Sequence, residues 1–327
     1  TTLRLGSNSL RRLRGEELSG ELGKCVVPHD MIGGKAPDYA WELDPMTSLR
    51  TLSIENNRLL RLPEEFGLLT SLTDVDLSLN SLEELDGKQW GFLTRMRKLN
   101  LNGNRPLKVL PAEIGMYSDL AWLDVVDCSI NSPPPVIIQR GVKPIVEYLK
   151  RIFEARTTRS LDLDGFQMLS VCDDVTSHKL LNYLSMRDNT LTAIPRKIGN
   201  LVYLRNLRLD NNLLSSLPED ILECTGLTEL TLRNNRFQRI FEEDDWWLGF
   251  SQLKLLDASR NELECVPPVI GALTRITSLD LSDNRMRSLP LELHRLTSIT
   301  NLKLRCNLLR LPMVQIAEDP DCGVLFE

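Results

Sequence analysis

The chain has 327 residues, of which 42% are hydrophobic and 26% are charged, with a formal net charge of −6 and a pI near 5.4. This composition is ordinary for a folded protein, and no apolar run reaches the roughly 18 residues that a membrane-spanning helix needs. The acidic balance argues against a nucleic-acid partner, because phosphate-binding proteins carry an excess of lysine and arginine.

A repeated phrase runs through most of the sequence. It is clearest in "LRNLRLDNNLLSSLP", residues 204–218, and follows the pattern LxxLxLxxNxL. From Phe166 onward its asparagine position recurs at steps of 23, 23, 23, 26, 23 and 23 residues. Cys128 and Phe166 stand at this position in two copies, and asparagine stands there in nine others: Asn57, Asn80, Asn104, Asn189, Asn212, Asn235, Asn261, Asn284 and Asn307. A fixed period of this length predicts units that stack on one another.

Each unit is expected to hold one short strand and one return segment. The alternation x-L-x-L-x predicts a strand whose two leucines face inward. A proline such as Pro195 precedes the next strand, and a large apolar residue such as Ile198 follows it by three positions. An inward-pointing asparagine has two donors and an acceptor for backbone groups at the end of the strand. The repeated asparagines therefore predict a buried ladder of hydrogen bonds.

These residues resemble the leucine-rich-repeat superfamily, in particular the 23-residue intracellular type of Ras-pathway scaffolds, plant intracellular Ras-group-related repeat proteins and Roco proteins. The resemblance implies an α/β fold, namely a curved right-handed solenoid of about 12 repeats. It also implies a parallel β-sheet on the concave face, short helices and loops on the convex face, and other proteins bound by the concave face.

Residues 1–131 are expected to form the N-terminal repeats, with an irregular long coil at about 11–47. Asn8 and Asn57 are 49 residues apart, but residues 24–46 contain no strand phrase, which favours one long coil over two ordinary ones. The sequence starts inside a repeat, at Leu3, without a distinct N-terminal cap, as is expected of a piece of a longer protein.

Residues 132–157 are predicted to form an amphipathic helical insertion. Its apolar positions fall at helical spacing: Val142, Ile145, Val146, Leu149, Ile152 and Phe153. The helix has two interpretations, because it could shield or brace the neighbouring coil or could dock a partner. One continuous solenoid is preferred to one that is kinked here.

Residues 158–327 are expected to hold the C-terminal repeats and a terminal cap. The 26-residue step contains "FEEDDWWLGFSQL", residues 241–253, in which Trp247 takes a core position, as Trp90 does in an earlier copy. Trp246 is flanked by acidic residues and is expected to point outward. It either contacts a partner or lies flat on a neighbouring coil.

The sequence lacks the residue patterns of a catalytic or metal site. His29, His178 and His294 are far apart and lack the spacing of metal ligands, and "GGK" at 33–35 lacks the rest of a phosphate-binding loop. No catalytic residue, metal, cofactor or small-molecule substrate is therefore expected, and the chain is not predicted to be an enzyme.

The outward residues of successive strands form columns that predict a binding surface. Early positions in these columns are acidic, and later ones contain a cluster of arginines beside two exposed aromatic residues. Tryptophan, tyrosine and arginine dominate protein–protein hot spots. The predicted partner-binding residues are Trp122, Tyr183, Arg187, Arg205, Arg208 and Arg233, with Trp246 as a further contact. The alternative is a solvated face with scattered charge.

The favoured function is a non-catalytic scaffold or assembly subunit that docks a partner protein on its concave face, as one chain of a larger complex. The alternatives are a regulatory repeat region of a Roco GTPase or kinase, and a structural part of a cytoskeletal or ciliary assembly. Seven scattered cysteines and the absence of N-glycosylation sequons favour an intracellular, cytoplasmic location.

Overall fold

The computed structural model describes residues 2–4, 48–241 and 243–309. The chain divides into two compact units, Thr1–Lys150 and Arg151–Glu327, and the boundary between them lies inside a long helix. The terminal cap and the irregular coil expected at about 11–47 lie outside the described residues.

Each unit contains one parallel sheet whose strands follow one another in chain order. The five strands of the first sheet are β1 (Thr2–Arg4), β2 (Thr51–Ser53), β3 (Asp74–Asp76), β4 (Lys98–Asn100) and β5 (Trp122–Asp124). The seven of the second are β6 (Ser160–Asp162), β7 (Tyr183–Ser185), β8 (Asn206–Arg208), β9 (Glu229–Thr231), β10 (Leu255–Asp257), β11 (Ser278–Asp280) and β12 (Asn301–Lys303). One short parallel strand per coil confirms the predicted α/β solenoid.

The leucines of each strand phrase form the core. In β8, Leu207 and the following Leu209 are both fully buried, while Arg208 between them is half-buried on the opposite side of the sheet. Successive side chains of a strand point to opposite faces, so every coil adds its leucines to the interior and presents its other residues outward.

Asn212 shows how a coil turns at the end of its strand. Its side chain is 5% exposed, and its Nδ2 donates to the carbonyl oxygens of Leu209, in the same coil, and Met186, in the preceding coil, at 3.0 and 2.9 Å. Its Oδ1 accepts from the backbone N–H of Leu191 at 3.0 Å. The other asparagines of the repeat, such as Asn80, bond in the same way. The amides thus satisfy buried backbone groups of two coils at once.

The residue before each ladder position has a left-handed backbone. Asn211 has a φ of 55°, and Gly103, before Asn104, has a φ of 75°. Leu79 adopts a φ of 54° although this conformation is unfavourable for leucine. At Leu79 the stacked coils therefore impose the turn, whereas most other coils have Gly, Asn or Asp at this position, which adopt the conformation readily.

Two coils turn without asparagine. The Cys128 thiol donates to the Leu101 carbonyl oxygen at 3.1 Å, which reproduces the bond that an asparagine makes to the preceding coil. Phe166 is 6% exposed and packs beneath the guanidinium of Arg151, which lies 5.3 Å from the ring centroid. At Phe166, packing of an apolar ring therefore takes the place of the hydrogen bonds that an asparagine side chain makes in most other coils.

Prolines begin most of the return segments. Pro195 has a φ of −71°, which suits the residue just before a helical turn. The return segments are short 3-10 helices: Glu64–Leu68, Ala112–Met116, Arg196–Asn200, Glu219–Glu223, Asp244–Phe250, Pro268–Ala272 and Leu291–Arg295. Two coils have a short α-helix instead, α1 (Gly87–Trp90) and α4 (Asp173–Ser177).

Helices occur where the amphipathic segment is predicted, as α2 (Pro135–Ile138) and α3 (Val142–Thr158). The buried side chains of α3 are Ile145, Tyr148, Leu149, Ile152 and Ala155. Val146 and Phe153, predicted to lie on the apolar face, are only half-buried. A Cβ on Gly115 would collide with the backbone of Leu149 and Lys150, so α3 packs tightly against the return segment Ala112–Met116.

The first two strands of the first sheet are far apart in the sequence. Leu3 of β1 pairs with Leu52 of β2, so the two strands are direct neighbours although these residues are 49 positions apart. The long coil expected between them stays a prediction, because residues 5–47 lie outside the described residues. The predicted core tryptophans are also buried, Trp90 against Phe66 and Trp247 against Phe241, with ring centroids 5.4 and 5.0 Å apart.

Candidate protein-binding surface

We call the outward surface of β6–β12 the sheet face of the second unit. It consists of the outward side chains of each strand and of the residue that stands two positions after the strand ends. The first sheet has a comparable outward side. On both, acidic residues cap backbone N–H groups where strands end. Asp76 accepts from Ser78 N at 3.0 Å in the first unit, and Asp257 from Ser259 N at 3.0 Å in the second. The acidic character of these columns therefore has a structural cause.

Asp164 connects two coils of the sheet face. Its Oδ1 accepts from the Arg187 backbone N–H at 2.7 Å and from the Ser185 hydroxyl at 2.6 Å. Its Oδ2 accepts from Arg187 Nε at 2.9 Å and lies 2.8 Å from Nη2. The side chain of Asp164 is only 18% exposed, so this ion pair is better shielded from water than an ordinary surface pair. Arg187 is held in one orientation as a result.

Tyr183, Arg208 and Glu229 form a row across β7, β8 and β9. The Arg208 guanidinium lies 5.5 Å from the Tyr183 ring centroid, in a cation–π contact. Its Nε and Nη2 lie 2.8 and 2.7 Å from Glu229 Oε1, and Glu229 Oε2 accepts from Asn206 Nδ2 at 2.6 Å. The tyrosine and the glutamate thus fix the arginine from two sides.

Arg205 and Arg233 differ from the other two arginines. Within residues 2–4, 48–241 and 243–309, neither guanidinium makes an ion pair. Arg205 is exposed and Arg233 is half-buried. The predicted basic cluster is therefore half neutralised, with Arg187 and Arg208 paired and the other two available to an anion.

Asp210 also connects two coils. Its carboxylate accepts from the Arg233 backbone N–H at 2.9 Å and from the Thr231 hydroxyl at 2.7 Å. Burial raises the pKa of Asp210 above its ordinary value, although these two hydrogen bonds act in the opposite direction.

An open depression of about 380 Å³ runs along the sheet face. Arg187, Arg208, Asp210 and Glu229 line it, together with Asp257, Asp280 and Lys303, whose ammonium lies 3.1 Å from Asp280. Basic and acidic side chains are therefore mixed along the depression.

The two remaining predicted contacts lie elsewhere. Trp122 is in the first unit, at the start of β5, and is 43% exposed. Trp246 lies in the return segment Asp244–Phe250, where it is half-buried, with its ring centroid 6.4 Å from that of Phe241. The structure brings Tyr183, Arg187, Arg205, Arg208 and Arg233 onto adjacent strands or strand ends, and Trp246 is not on the sheet face.

Sequence reasoning missed the acidic partners of the arginines. Asp164 precedes Arg187 by 23 residues, which is the length of one coil. Glu229 follows Arg208 by 21 residues, which is two fewer than the length of one coil. The 23-residue step contained this signal, because residues one coil apart in parallel strands lie side by side.

In the described part of the chain, no group of three or more His, Cys, Asp or Glu residues is arranged to hold a metal ion. Across the same residues, no helix has both the length and the apolar character needed to cross a membrane.

A short parallel strand, a turn closed by a buried asparagine and a proline-led return, repeated coil after coil, define a leucine-rich-repeat solenoid. The family model for the leucine rich repeat matches residues 47–105, 202–263 and 225–286. Over these residues the chain consists of leucine-rich repeats.

Known proteins share parts of the repeat region. Podocan-like protein 1 of Mus musculus is 40% identical over 86 residues, which are 26% of this chain and 15% of that protein. Leucine-rich repeat serine/threonine-protein kinase 1 of Caenorhabditis elegans is 33% identical over 123 residues, 35% of this chain and 5% of that protein. The chain therefore matches only a small part of the length of either relative.

Solved structures with a similar course of the chain are also repeat proteins. An internalin from Listeria monocytogenes has a TM-score of 0.44 and 20% identity, covering 84% of this chain and 73% of that one. The repeat ectodomain of the receptor kinase GASSHO1/SCHENGEN3 from Arabidopsis thaliana has a TM-score of 0.45 and 22% identity, covering 83% and 34%. Neither similarity bears on a partner of this chain.

Proposed function

We propose that this chain is a non-catalytic scaffold or assembly subunit that docks a partner protein on the sheet face of its second unit. The observation on which this rests is the row formed by Tyr183, Arg208 and Glu229. It presents an aromatic ring and a guanidinium, two groups that dominate protein–protein hot spots, on the strands of a stacked sheet.

The arginines of the sheet face are held before a partner arrives. The side chains of Arg187 and Arg208 remain 40% and 33% exposed while their orientation is fixed by Asp164 and Glu229. An ordered side chain loses little conformational entropy on binding, so more of its contact energy appears as affinity. This pre-organisation favours a binding surface over a merely solvated face.

The neighbouring arginines favour a partner that carries carboxylates. Arg205 and Arg233 make no ion pair among the described residues and lie beside the fixed row. Arg205 precedes β8 and Arg233 follows β9, so carboxylates of a partner would gain charge-assisted hydrogen bonds at either end of the row. Trp122, in the first unit, and Trp246, in a return segment, are proposed as additional contacts outside this surface.

The test begins with the native complex. The tagged full chain is purified from cells of the source organism, and a protein recovered in stoichiometric amount is then produced pure and titrated calorimetrically. Tyr183→Ala and Arg208→Ala are each expected to weaken binding by about 1–3 kcal/mol.

Arg305→Ala is the matched control, because Arg305 is an exposed arginine at the far end of the outward column that also holds Arg187 and Arg233. Its affinity is expected to stay at the wild-type value. Unchanged affinity in both Tyr183→Ala and Arg208→Ala would rule the proposal out.

A second candidate is a regulatory repeat region within a larger signalling enzyme such as a Roco GTPase or a kinase. It is favoured by the Caenorhabditis elegans kinase and by probable serine/threonine-protein kinase pats1 of Dictyostelium discoideum, 34% identical over 95 residues. The full reading frame that encodes the chain distinguishes the two. A catalytic domain in the same frame supports the regulatory function, and a frame of repeats alone supports the scaffold.

A further inference from the structure

Two coils break a rule that the others follow at the turn before the strand. The two residues ahead of the first leucine of each unit form this exposed turn. In most described coils the first of them is a small hydroxyl residue: Thr70, Thr94, Ser118, Thr225, Ser251, Thr274 and Thr297. Two consecutive coils of the second unit carry Lys179–Leu180 and Val202–Tyr203 instead.

The substituted side chains are apolar and face solvent. Leu180 is 54% exposed, Val202 44% and Tyr203 59%. Leu180 and Tyr203 occupy the same position one coil apart. Side chains at this position can touch across coils, since Gln252 and Arg275, the equivalent pair further along, hydrogen bond to each other. The three residues thus lie on two consecutive exposed turns, and we call them the edge patch.

Positive charge borders the edge patch. Lys179 precedes Leu180, and Arg205 follows Tyr203 by two residues; both are exposed, and neither makes an ion pair within the described ranges. Cations on the nearby return segment are paired, since Lys197 lies 2.6 Å from Asp173. The two unpaired cations make the border of the patch complementary to carboxylates.

We propose that the edge patch is a second docking site, and that it binds a polypeptide segment presenting an aliphatic or aromatic side chain flanked by aspartate or glutamate. The edge patch would cover the side chain, while Lys179 and Arg205 would pair with the flanking carboxylates. Contiguous apolar surface bordered by charged residues is typical of interaction sites. Three side chains are too few to act as a membrane anchor, which needs an extended apolar face.

The test uses a library of displayed random dodecapeptides selected on the full 327-residue chain. Selected peptides are compared on the variant Leu180→Ser, Val202→Thr, Tyr203→Ser, whose new residues are those that other coils carry at these positions, without prior depletion on that variant. The enriched peptides are synthesised, and their affinities are measured by fluorescence anisotropy. Circular dichroism and thermal melting establish that each variant is folded.

Enriched peptides are expected to share an apolar residue beside acidic ones and to bind the triple variant at least about tenfold more weakly than the wild type. Lys179→Glu with Arg205→Glu should also weaken binding about tenfold or more. Leu291→Ser is the matched control, because Leu291 is 83% exposed elsewhere in the second unit, and it should leave affinity unchanged.

Several outcomes would overturn the proposal. They are peptides that bind the triple variant as well as the wild type, peptides enriched in basic residues, and a wild-type dimer in sedimentation that the triple variant lacks. Binding to phosphatidylserine vesicles that depends on the patch would show a membrane site instead. The double variant Tyr183→Ala, Arg208→Ala should bind the peptides as the wild type does. The proposal for the edge patch can therefore fail without affecting the proposal for the sheet face, and the reverse also holds.

Discussion

The first sheet and the early strands of the second sheet share a coil geometry, and both cap strand ends within a coil, as Asp162 does for the Asp164 N–H. The second sheet also has aspartates that bond to the next coil. On β3 and β5, Asp76 and Asp124 bond to the backbone N–H two residues further along their own coil. Near β6 and β8, Asp164 and Asp210 bond to the backbone of the following coil instead. A backbone N–H beyond the end of a strand is therefore bonded either by an aspartate of its own coil or by an aspartate of the preceding coil.

This difference decides what the outward surface can do. A carboxylate that caps its own strand leaves the neighbouring coil unaffected, whereas Asp164 also orients the guanidinium of Arg187. On β9, Glu229 does the same for Arg208 from the adjacent strand. Cross-coil bonding thus turns a column of charges into an ordered set of arginines, and it is concentrated where the aromatic residue Tyr183 also lies.

The largest loss of stability is expected from a change in the buried asparagine ladder, which both regions share. Asn212→Ala would leave the carbonyl oxygens of Leu209 and Met186 and the N–H of Leu191 buried without partners. The free energy of unfolding should fall by about 3–5 kcal/mol, measured by urea denaturation. Asn80→Ala in the first unit should cost a similar amount.

Asn301→Ala is the control for the ladder, because Asn301 is exposed and its side chain, among the described residues, hydrogen bonds only to the Ser278 hydroxyl. It should change stability by less than about 0.5 kcal/mol. A loss at Asn212 no larger than that at Asn301 would contradict a structural role for the buried amides.

A smaller loss of stability is expected from changes to the aspartates, and its size should differ between the two regions. Asp164→Ala removes bonds to Ser185, the Arg187 backbone and the Arg187 guanidinium, and should lower stability by about 2–3 kcal/mol. Asp76→Ala removes only its bonds to Ser78 and should cost about 1 kcal/mol. Equal losses of stability in the two variants, measured by urea denaturation, would show that bonds between coils stabilise the fold no more than bonds within a coil.

The smallest effect concerns the pH dependence of stability. Burial raises the folded-state pKa of Asp210, so the stability contributed by its protonated form is present below the unfolded value of 3.8 and is lost as pH rises through the folded pKa. Asp210→Asn removes this titration. Its stability relative to the wild type should therefore increase as pH rises across that window and then level off, as measured by urea unfolding at a series of pH values. A difference that does not vary with pH would contradict the raised pKa.

Much of the fold could be predicted because stacking imposes a period on the sequence. The 23-residue step located Asn212 and its equivalents, and the proline three residues before a large apolar residue located the return segments. Helix α3 was predicted from its spacing, but its buried face was only partly right. Tyr148 is buried and Phe153 half-buried because close packing at Gly115 sets the rotation of the helix.

The binding surface could be predicted less fully. The column positions of Tyr183 and Arg208 followed from the strand phrase, and both lie on the sheet face. The pairing of Arg208 with Glu229 depends on side-chain geometry across strands, which a single-coil pattern does not contain. The edge patch was missed because the two residues before the first leucine lie outside the repeated phrase.

Hydrogen–deuterium exchange of the purified native complex tests the central claim most directly. Docking on the sheet face predicts slower exchange at the backbone of β7, β8 and β9 and at the turns that follow them. Strands β2–β4 of the first unit should be unchanged. Protection confined to the first unit, or to the 3-10 return segments of the second, would contradict a partner bound at the row of Tyr183, Arg208 and Glu229.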